Sequence, residues 1–319
     1  MAAMPAQRVL FVKLSSLGDV VHNMPAVTDL ARARPGTHIA WAVEEAYVPL
    51  VTLHSAVAEA FPVGLRSLRR RPLSPSLWSR LAATRRTLRA SPWDFVVDTQ
   101  GLMKSAVVAR FARAPAFGLD KASARERAAS RFYDVKLPVP RALHAVERNR
   151  RLVAQVFGYS PGGPADYGLA APPAPPAWAP QAQYTVFLHA ASRASKRWPE
   201  DRWIALGREA NAAGLDVVLP AGTAEERAAS QRIAKALERA LAAPDMDLAE
   251  AAALLANARV VAGVDTGLTH LAAALAVPTV GIYVATRPEL TGLHAGNAVN
   301  VGGAGLAPTV EEVLAAFHR

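Results

Sequence analysis

The sequence contains no cysteine, so neither a disulfide framework nor a cysteine-based metal site can be built from it. It also lacks any run of about 18 consecutive apolar residues, the length that a membrane-spanning helix needs. The first eight residues run directly into the apolar stretch 9–12, which is too short for a signal-peptide core. These absences fit a cytoplasmic address. Acidic residues are scarce. Thirty-six Lys and Arg against 26 Asp and Glu give a formal net charge of +10 and a pI near 10.4. Such a balance calls for an acidic partner: a phosphorylated small molecule, an anionic membrane surface or nucleic acid.

The shortage of acid is local. Between Glu59 and Asp94 there is no acidic residue, while Arg66, Arg69, Arg70, Arg71, Arg80, Arg85, Arg86 and Arg89 all fall there. Any single arginine of that interval fits a solvated face, whereas the tight cluster from Arg66 to Arg71 points to an anionic ligand. Aromatic side chains are sparse beside it, with only Trp78 near the basic loop. That argues against the stacking platforms of nucleic-acid binders.

What is present is a repeated grammar of strand, polar turn and helix. The chain has 319 residues, 51% of them hydrophobic, enough for two domains with full cores. Strands are expected at residues 9–13, 38–43, 95–98, 184–189, 215–219 and 258–262, with the last at 280–284. Most are followed by a polar turn and a helical pattern. This alternation argues for open parallel α/β sheets. The cluster from Arg66 to Arg71, broken by Pro72 and Pro75, is expected as a surface loop before a helix over 77–89. Composition shifts at residues 160–180, where Ser160-Pro161-Gly162-Gly163-Pro164 and Pro172-Pro173-Ala174-Pro175-Pro176 leave no room for a regular element. The expected organisation is therefore an N-terminal domain over 1–160, a proline-rich linker over 161–182, a C-terminal domain over 183–307 and a terminal helix over 308–319.

Four places carry chemistry. The turn Gly263-Val264-Asp265-Thr266-Gly267-Leu268-Thr269-His270 joins an apolar strand to an apolar helix. It leaves helix-start N–H groups at the carboxyl end of a parallel strand, which is either an anion site or a plain capped turn. The loop Ser192-Arg193-Ala194-Ser195-Lys196-Arg197 places cations beside hydroxyls, as a diphosphate requires. Glu225 or Glu226, just past the Ala221-Gly222-Thr223 turn, can accept from ribose hydroxyls or simply favour the helix dipole. In the first loop Gly18 stands alone, so the spacing of a dinucleotide fingerprint is absent. Asp19 in that loop is either a helix cap or a general base.

Taken together these stretches resemble the ADP-heptose:lipopolysaccharide heptosyltransferases, and within them the members that add the first heptose to Kdo of the inner core. The resemblance spans nearly the whole chain. It rests on Lys13-Leu14-Ser15-Ser16-Leu17-Gly18-Asp19, Val43-Glu44-Glu45, Asp98-Thr99-Gln100-Gly101-Leu102-Met103-Lys104-Ser105 and His144-Ala145-Val146-Glu147-Arg148. The turns Lys196-Arg197-Trp198-Pro199 and Val264-Asp265-Thr266-Gly267-Leu268-Thr269-His270 complete it. It implies a GT-B fold, with two Rossmann-like domains facing across a cleft, and inverting transfer of heptose from ADP-heptose to the Kdo of lipid A. It implies no cofactor and no metal, in keeping with the lack of a carboxylate pair poised for a divalent ion.

By position in those motifs, Asp19 matches the general base and Lys196 the diphosphate lysine. Ser192, Glu226, Met246, Asp265, Thr266, Gly267 and His270 match donor contacts. The family often has two threonines where Ala191 and Ser192 stand here. Arg66, Arg69, Arg70 and Arg71 become expected contacts to the anionic acceptor. The partners implied are ADP-heptose, Kdo-lipid A and the cytoplasmic face of an anionic inner membrane, with no nucleic acid and a monomer favoured. Two alternatives stay open: a related heptosyltransferase with another acceptor (a second heptose or a protein), and a non-catalytic basic nucleotide-binding protein.

Overall fold

A computed structural model of the chain describes residues 7–70, 73–191 and 193–317. Its strands are β1 (Arg8–Val12), β2 (His38–Val43), β3 (Val57–Pro62), β4 (Phe95–Asp98), β5 (Ala116–Leu119) and β6 (Val135–Leu137), then β7 (Tyr184–Leu188), β8 (Asp216–Leu219), β9 (Ala240–Ala242), β10 (Val260–Val264), β11 (Thr279–Tyr283) and β12 (Ala298–Gly302). The chain divides into two compact units, residues 1–169 and 170–319. Each holds one six-stranded sheet, in the orders β3-β2-β1-β4-β5-β6 and β12-β11-β10-β7-β8-β9. All the strand pairs are parallel. Within either unit the order runs outward in one direction from the first strand and then in the other from its neighbour. This is the doubly wound Rossmann arrangement, with one switch point between β1 and β4 and a second between β7 and β10.

The central strands are buried at nearly every position rather than at alternate ones, because a parallel sheet of this kind is covered on both faces. Phe11 and Val12 of β1, and Val261, Ala262 and Val264 of β10, are fully buried. In unit 1 the core gathers Leu10, Val12, Leu88, Val96 and Val108. In unit 2 it gathers Phe187, Trp203, Leu206, Val217 and Ile282, with the rings of Phe187 and Trp203 5.3 Å apart.

Several elements differ from expectation. The arginine cluster is not a loop: residues 65–70 form the helix Leu65–Arg70, and a second helix, Pro75–Ala90, begins at Pro75. Proline in the first turn has no N–H to lose there, so it starts a helix rather than breaking one. The strand at 280–284 is not the last, since β12 adds outside β11. After β1 come two helices, Leu17–Val21 and Met24–Ala33, and Pro25 in the first turn of the second starts a helix in the same way. The proline-rich stretch is tied down along its length. Arg150 donates to the carbonyls of Gly162 and Gly163, Leu169 bridges to His54, and Asn257 donates to the Pro172 carbonyl.

Candidate functional site

The unit 2 switch point is built from the ends of β7 and β10. Beyond β10, Asp265 and Thr266 lead into the helix Gly267–Ala274, whose N-cap is Thr266. The turn is tight because Gly263 has no side chain. A Cβ there would lie 2.3 Å from Thr269 Oγ1 and 2.9 Å from Leu188 Cβ. Thr269 instead donates to the Val264 carbonyl at 2.7 Å, pinning the helix start to the strand end. The first-turn N–H groups thus open beyond the carboxyl edge of the sheet. Beyond β7, the chain reaches a short 3-10 turn, Ala194–Lys196. It is anchored by Trp198, whose indole donates to the Pro308 carbonyl at 2.9 Å.

These two loops meet at one ion pair. Lys196 Nζ donates to Asp265 Oδ2 at 2.6 Å, with the two side chains 21% and 11% exposed. The same oxygen accepts from Thr286 Oγ1 at 2.7 Å, and His270 Nε2 lies 3.5 Å from Oδ1. Burial pushes the Asp265 carboxyl up, but hydrogen bonds from His270, Lys196 and Thr286 outweigh it and hold the group well below the usual carboxylate range. A permanently ionised aspartate therefore fixes an ammonium beside helix-start N–H groups, an arrangement that can take a diphosphate.

The other expected donor residues are placed less tightly. Glu226 Oε2 accepts from the Gly222 N–H at 2.9 Å and its own N–H donates to Thr223 Oγ1 at 3.2 Å, so Thr223 caps the helix Ala224–Lys235 and the Glu226 carboxylate is held against the turn that follows β8. Glu225 pairs with Arg197 at 2.6 Å. Met246 is half-buried past β9, one residue before the Asp247 cap of the helix Leu248–Ala256. Ser192 lies outside the described residues.

In unit 1 the loop after β1 carries Asp19 in the first turn of the helix Leu17–Val21. Asp19 Oδ2 accepts from the Ser16 N–H at 2.9 Å and the Ser16 hydroxyl at 3.0 Å, which is the backward arm of a capping box. Oδ1 has no hydrogen-bond partner among the described residues, and the side chain is 31% exposed. The capping contacts therefore engage one carboxylate oxygen and leave the other outside the capping box.

The surroundings of Asp19 are cationic. Arg125 Nη1 lies 3.8 Å from Oδ2. Lys104, in the first turn of the helix Met103–Ala109 that follows β4, donates to Ser15 Oγ at 2.6 Å, and burial lowers its pKa against the opposing charges of Glu44 and Asp19. Lys13 is buried at the end of β1. It donates to the Thr99 carbonyl at 2.9 Å and Asn149 Oδ1 at 3.4 Å, so it joins β1, β4 and the helix Ala145–Phe157. Desolvation lowers its pKa to about 8, opposed by the charges of Asp19 and Asp98. Asp98 itself is pushed up by burial, against the Tyr133 hydroxyl at 2.7 Å and the N–H groups of Gln100 and Gly101.

The basic cluster divides in two. The Arg66 N–H donates to both oxygens of buried Glu44, at 3.1 and 3.2 Å. Its guanidinium donates to the Tyr47 hydroxyl at 2.6 Å, so Arg66 is held against the residues that follow the carboxyl end of β2. For Arg69 and Arg70 the helix backbone alone is described, and Arg71 lies outside the described residues. Sequence reasoning missed Lys13, Lys104, Arg125 and Thr286 as members of these sites. Lys13 and Lys104 stand inside the quoted motifs, where a lysine beside polar residues gives no sign of its burial. Arg125 and Thr286 carried no local signal.

Residues 81–314 match glycosyltransferase family 9 (heptosyltransferase). The chain belongs to that family. This heptosyltransferase is 44% identical over 300 residues to lipopolysaccharide heptosyltransferase 1 of Pseudomonas aeruginosa, with 92% of this chain and 83% of the relative covered. Its structure resembles that of the E. coli heptosyltransferase WaaC with ADP, at a TM-score of 0.89 and 36% identity over 97% of this chain and 98% of that one. It also resembles WaaC with ADP-2-deoxy-2-fluoro heptose, at a TM-score of 0.84 and 36% identity over the same shares. The heptosyltransferase is thus an enzyme of GT-B type, composed of two Rossmann-like units. Among its described residues no helix is long and apolar enough to cross a membrane.

Proposed function

We propose that this heptosyltransferase moves heptose from ADP-heptose to the Kdo of a lipid A-linked acceptor in lipopolysaccharide inner-core synthesis, with inversion at the anomeric carbon. Unit 1 takes the acceptor and unit 2 the donor. The observation that carries the reading is the Lys196–Asp265 ion pair at the β7/β10 switch point, beside the start of the helix Gly267–Ala274. The relatives add support: one is a lipopolysaccharide heptosyltransferase 1, and the E. coli heptosyltransferase WaaC has been seen with ADP and with ADP-2-deoxy-2-fluoro heptose.

In this reading Asp19 takes the proton of an acceptor hydroxyl through Oδ1 while Oδ2 stays held by Ser16. The acceptor oxygen forms its bond to the anomeric carbon as the bond from that carbon to the diphosphate oxygen breaks, and attack from the opposite face inverts the centre. Lys196 and the N–H groups of Thr266 and Gly267 offset the charge that builds on the departing ADP. Asp265 is a positioning residue: as an anion it would repel a diphosphate directly, and it acts by aiming Lys196. His270 completes the hold on Asp265. Glu226 receives the ribose, Met246 borders the adenine, and Ser192 adds a hydroxyl. Arg66, Arg69, Arg70 and Arg71, joined by Lys104 and Arg125, bind the carboxylates and phosphates of the acceptor. No metal enters the scheme. The enzyme works as a peripheral protein on the cytoplasmic face of the inner membrane.

The test is transfer of radiolabelled heptose from ADP-heptose to Kdo-lipid A. Wild type is expected to form a single product with inverted linkage. Absence of transfer to this acceptor, with transfer to a heptosylated core or a protein instead, would move the enzyme to another branch of the family.

A further inference from the structure

The acid-free interval leaves part of its charge unanswered. Along the helix Pro75–Ala90 the row Leu77, Leu81, Thr84 and Leu88 turns inward, with Leu88 fully buried and the other three half-buried. One residue further on runs the row Trp78, Ala82, Arg85 and Arg89, all exposed, with exposed Arg86 beside it. The spacing of four, seven and eleven residues places these side chains on one flank of the helix, about 16 Å long at 1.5 Å per residue. Trp78 is 53% exposed, and Leu73, just ahead of the helix, is 92% exposed. Two other arginines of the interval find partners within the unit: Arg66 with Tyr47, and Arg80 with Glu45. Arg85, Arg86 and Arg89 form no ion pair among the described residues. A flank with three uncompensated guanidinium groups and two exposed apolar side chains at one end is complementary to a surface that is anionic outside and apolar beneath.

Its place in the fold fits. The helix must return the chain from the carboxyl end of β3 to the start of β4, so Leu73 and Trp78 lie at the carboxyl edge of the unit 1 sheet, the same edge as Asp19. We propose that the outer flank of Pro75–Ala90, led by Leu73 and Trp78, docks unit 1 on an anionic lipid bilayer. Trp78 and Leu73 enter the head-group layer, and Arg85, Arg86 and Arg89 pair with lipid phosphates. This rests on the reading that the acceptor is lipid-linked, since a bilayer-bound acceptor is reached from the bilayer surface.

The test is co-sedimentation of the full chain with vesicles of phosphatidylethanolamine and phosphatidylglycerol, and with vesicles of phosphatidylcholine alone. Wild type is expected to partition onto the anionic vesicles and to be released by high salt. The triple variant Arg85→Gln, Arg86→Gln, Arg89→Gln is expected to bind about 100-fold more weakly, given the attraction of each basic residue to such a surface. Trp78→Ser is expected to weaken binding several-fold without changing the salt dependence. Both variants should keep wild-type transfer to a de-acylated, water-soluble Kdo acceptor, which separates docking from catalysis. Equal binding by wild type and variants, equal binding to neutral vesicles, or displacement by millimolar inorganic phosphate would overturn the proposal. Vesicle binding as expected, with no transfer to the soluble acceptor, would overturn the functional reading instead.

Discussion

Lys196 and Asp265 lie 69 residues apart in sequence and 2.6 Å apart in space, and the consequences of that pair can be measured. Replacing Asp265 by Asn removes the charge that holds Lys196 and keeps an acceptor for Thr286. We expect a loss of about 1–3 kcal/mol in stability, read by urea unfolding, and a weaker grip on ADP. Because the folded carboxyl sits below its ordinary value of 3.8, its contribution is fully present above that value. It is lost as pH falls through the depressed one. Wild type should therefore lose stability in acid more steeply than Asp265→Asn. Lys13 behaves in the opposite range. Its folded pKa of about 8 lies below the ordinary 10.5, so between those values the unfolded chain binds more protons and stability rises with pH. Lys13→Met should abolish that rise, seen as a flatter unfolding free energy between about pH 8 and pH 10. Asp19 was legible in sequence as a choice between cap and base. What sequence could not supply was that Ser16 engages Oδ2 alone, which depends on where Ser16 points.

The turns were easier to read than the edges of the sheets. The central strands β1, β2, β4, β7, β8, β10 and β11 announce themselves by short apolar runs rich in valine and isoleucine. The strands β5, β6, β9 and β12 do not: they read Ala-Phe-Gly-Leu, Val-Lys-Leu, Ala-Leu-Ala and Ala-Val-Asn-Val-Gly. Lengths of three to five residues with Ala, Gly, Lys or Asn carry little strand propensity, and pairing with a formed neighbour determines them. The helix Leu65–Arg70 was hidden for a related reason, since Pro72 and Pro75 suggested a loop while the second proline begins the next helix. The Gly263 turn shows how far one position can be pressed. Gly263→Ala places a methyl against Thr269 Oγ1 and Leu188 Cβ, and such overpacking costs about 1–3 kcal/mol. Calorimetric ADP titration of this variant should show weaker binding together with a lower unfolding midpoint. Unchanged ADP affinity would detach the helix start from the donor site.

At the scale of the whole molecule, the chain uses one strand order twice. Both sheets grow outward from a switch point, and both sets of motifs fall on the turns and helix starts that follow those strands: Asp19 and Lys104 after β1 and β4, and Lys196 and Asp265 after β7 and β10. The duplication was visible as repeated grammar in the sequence, since the loops that carry chemistry are also the polar interruptions between apolar runs. The strand order was not visible, because pairing is set by crossovers that leave no local mark. With proton removal proposed for unit 1 and leaving-group stabilisation for unit 2, the two roles should separate. Lys196→Ala is expected to lose ADP affinity and to lower transfer by about 10²–10³-fold. The most direct test is Asp19→Asn, measured for transfer from ADP-heptose to Kdo-lipid A and for ADP binding on the same preparation. If Asp19 is the general base, transfer falls by about 10²–10⁴-fold with ADP affinity unchanged; transfer at the wild-type rate would contradict that role.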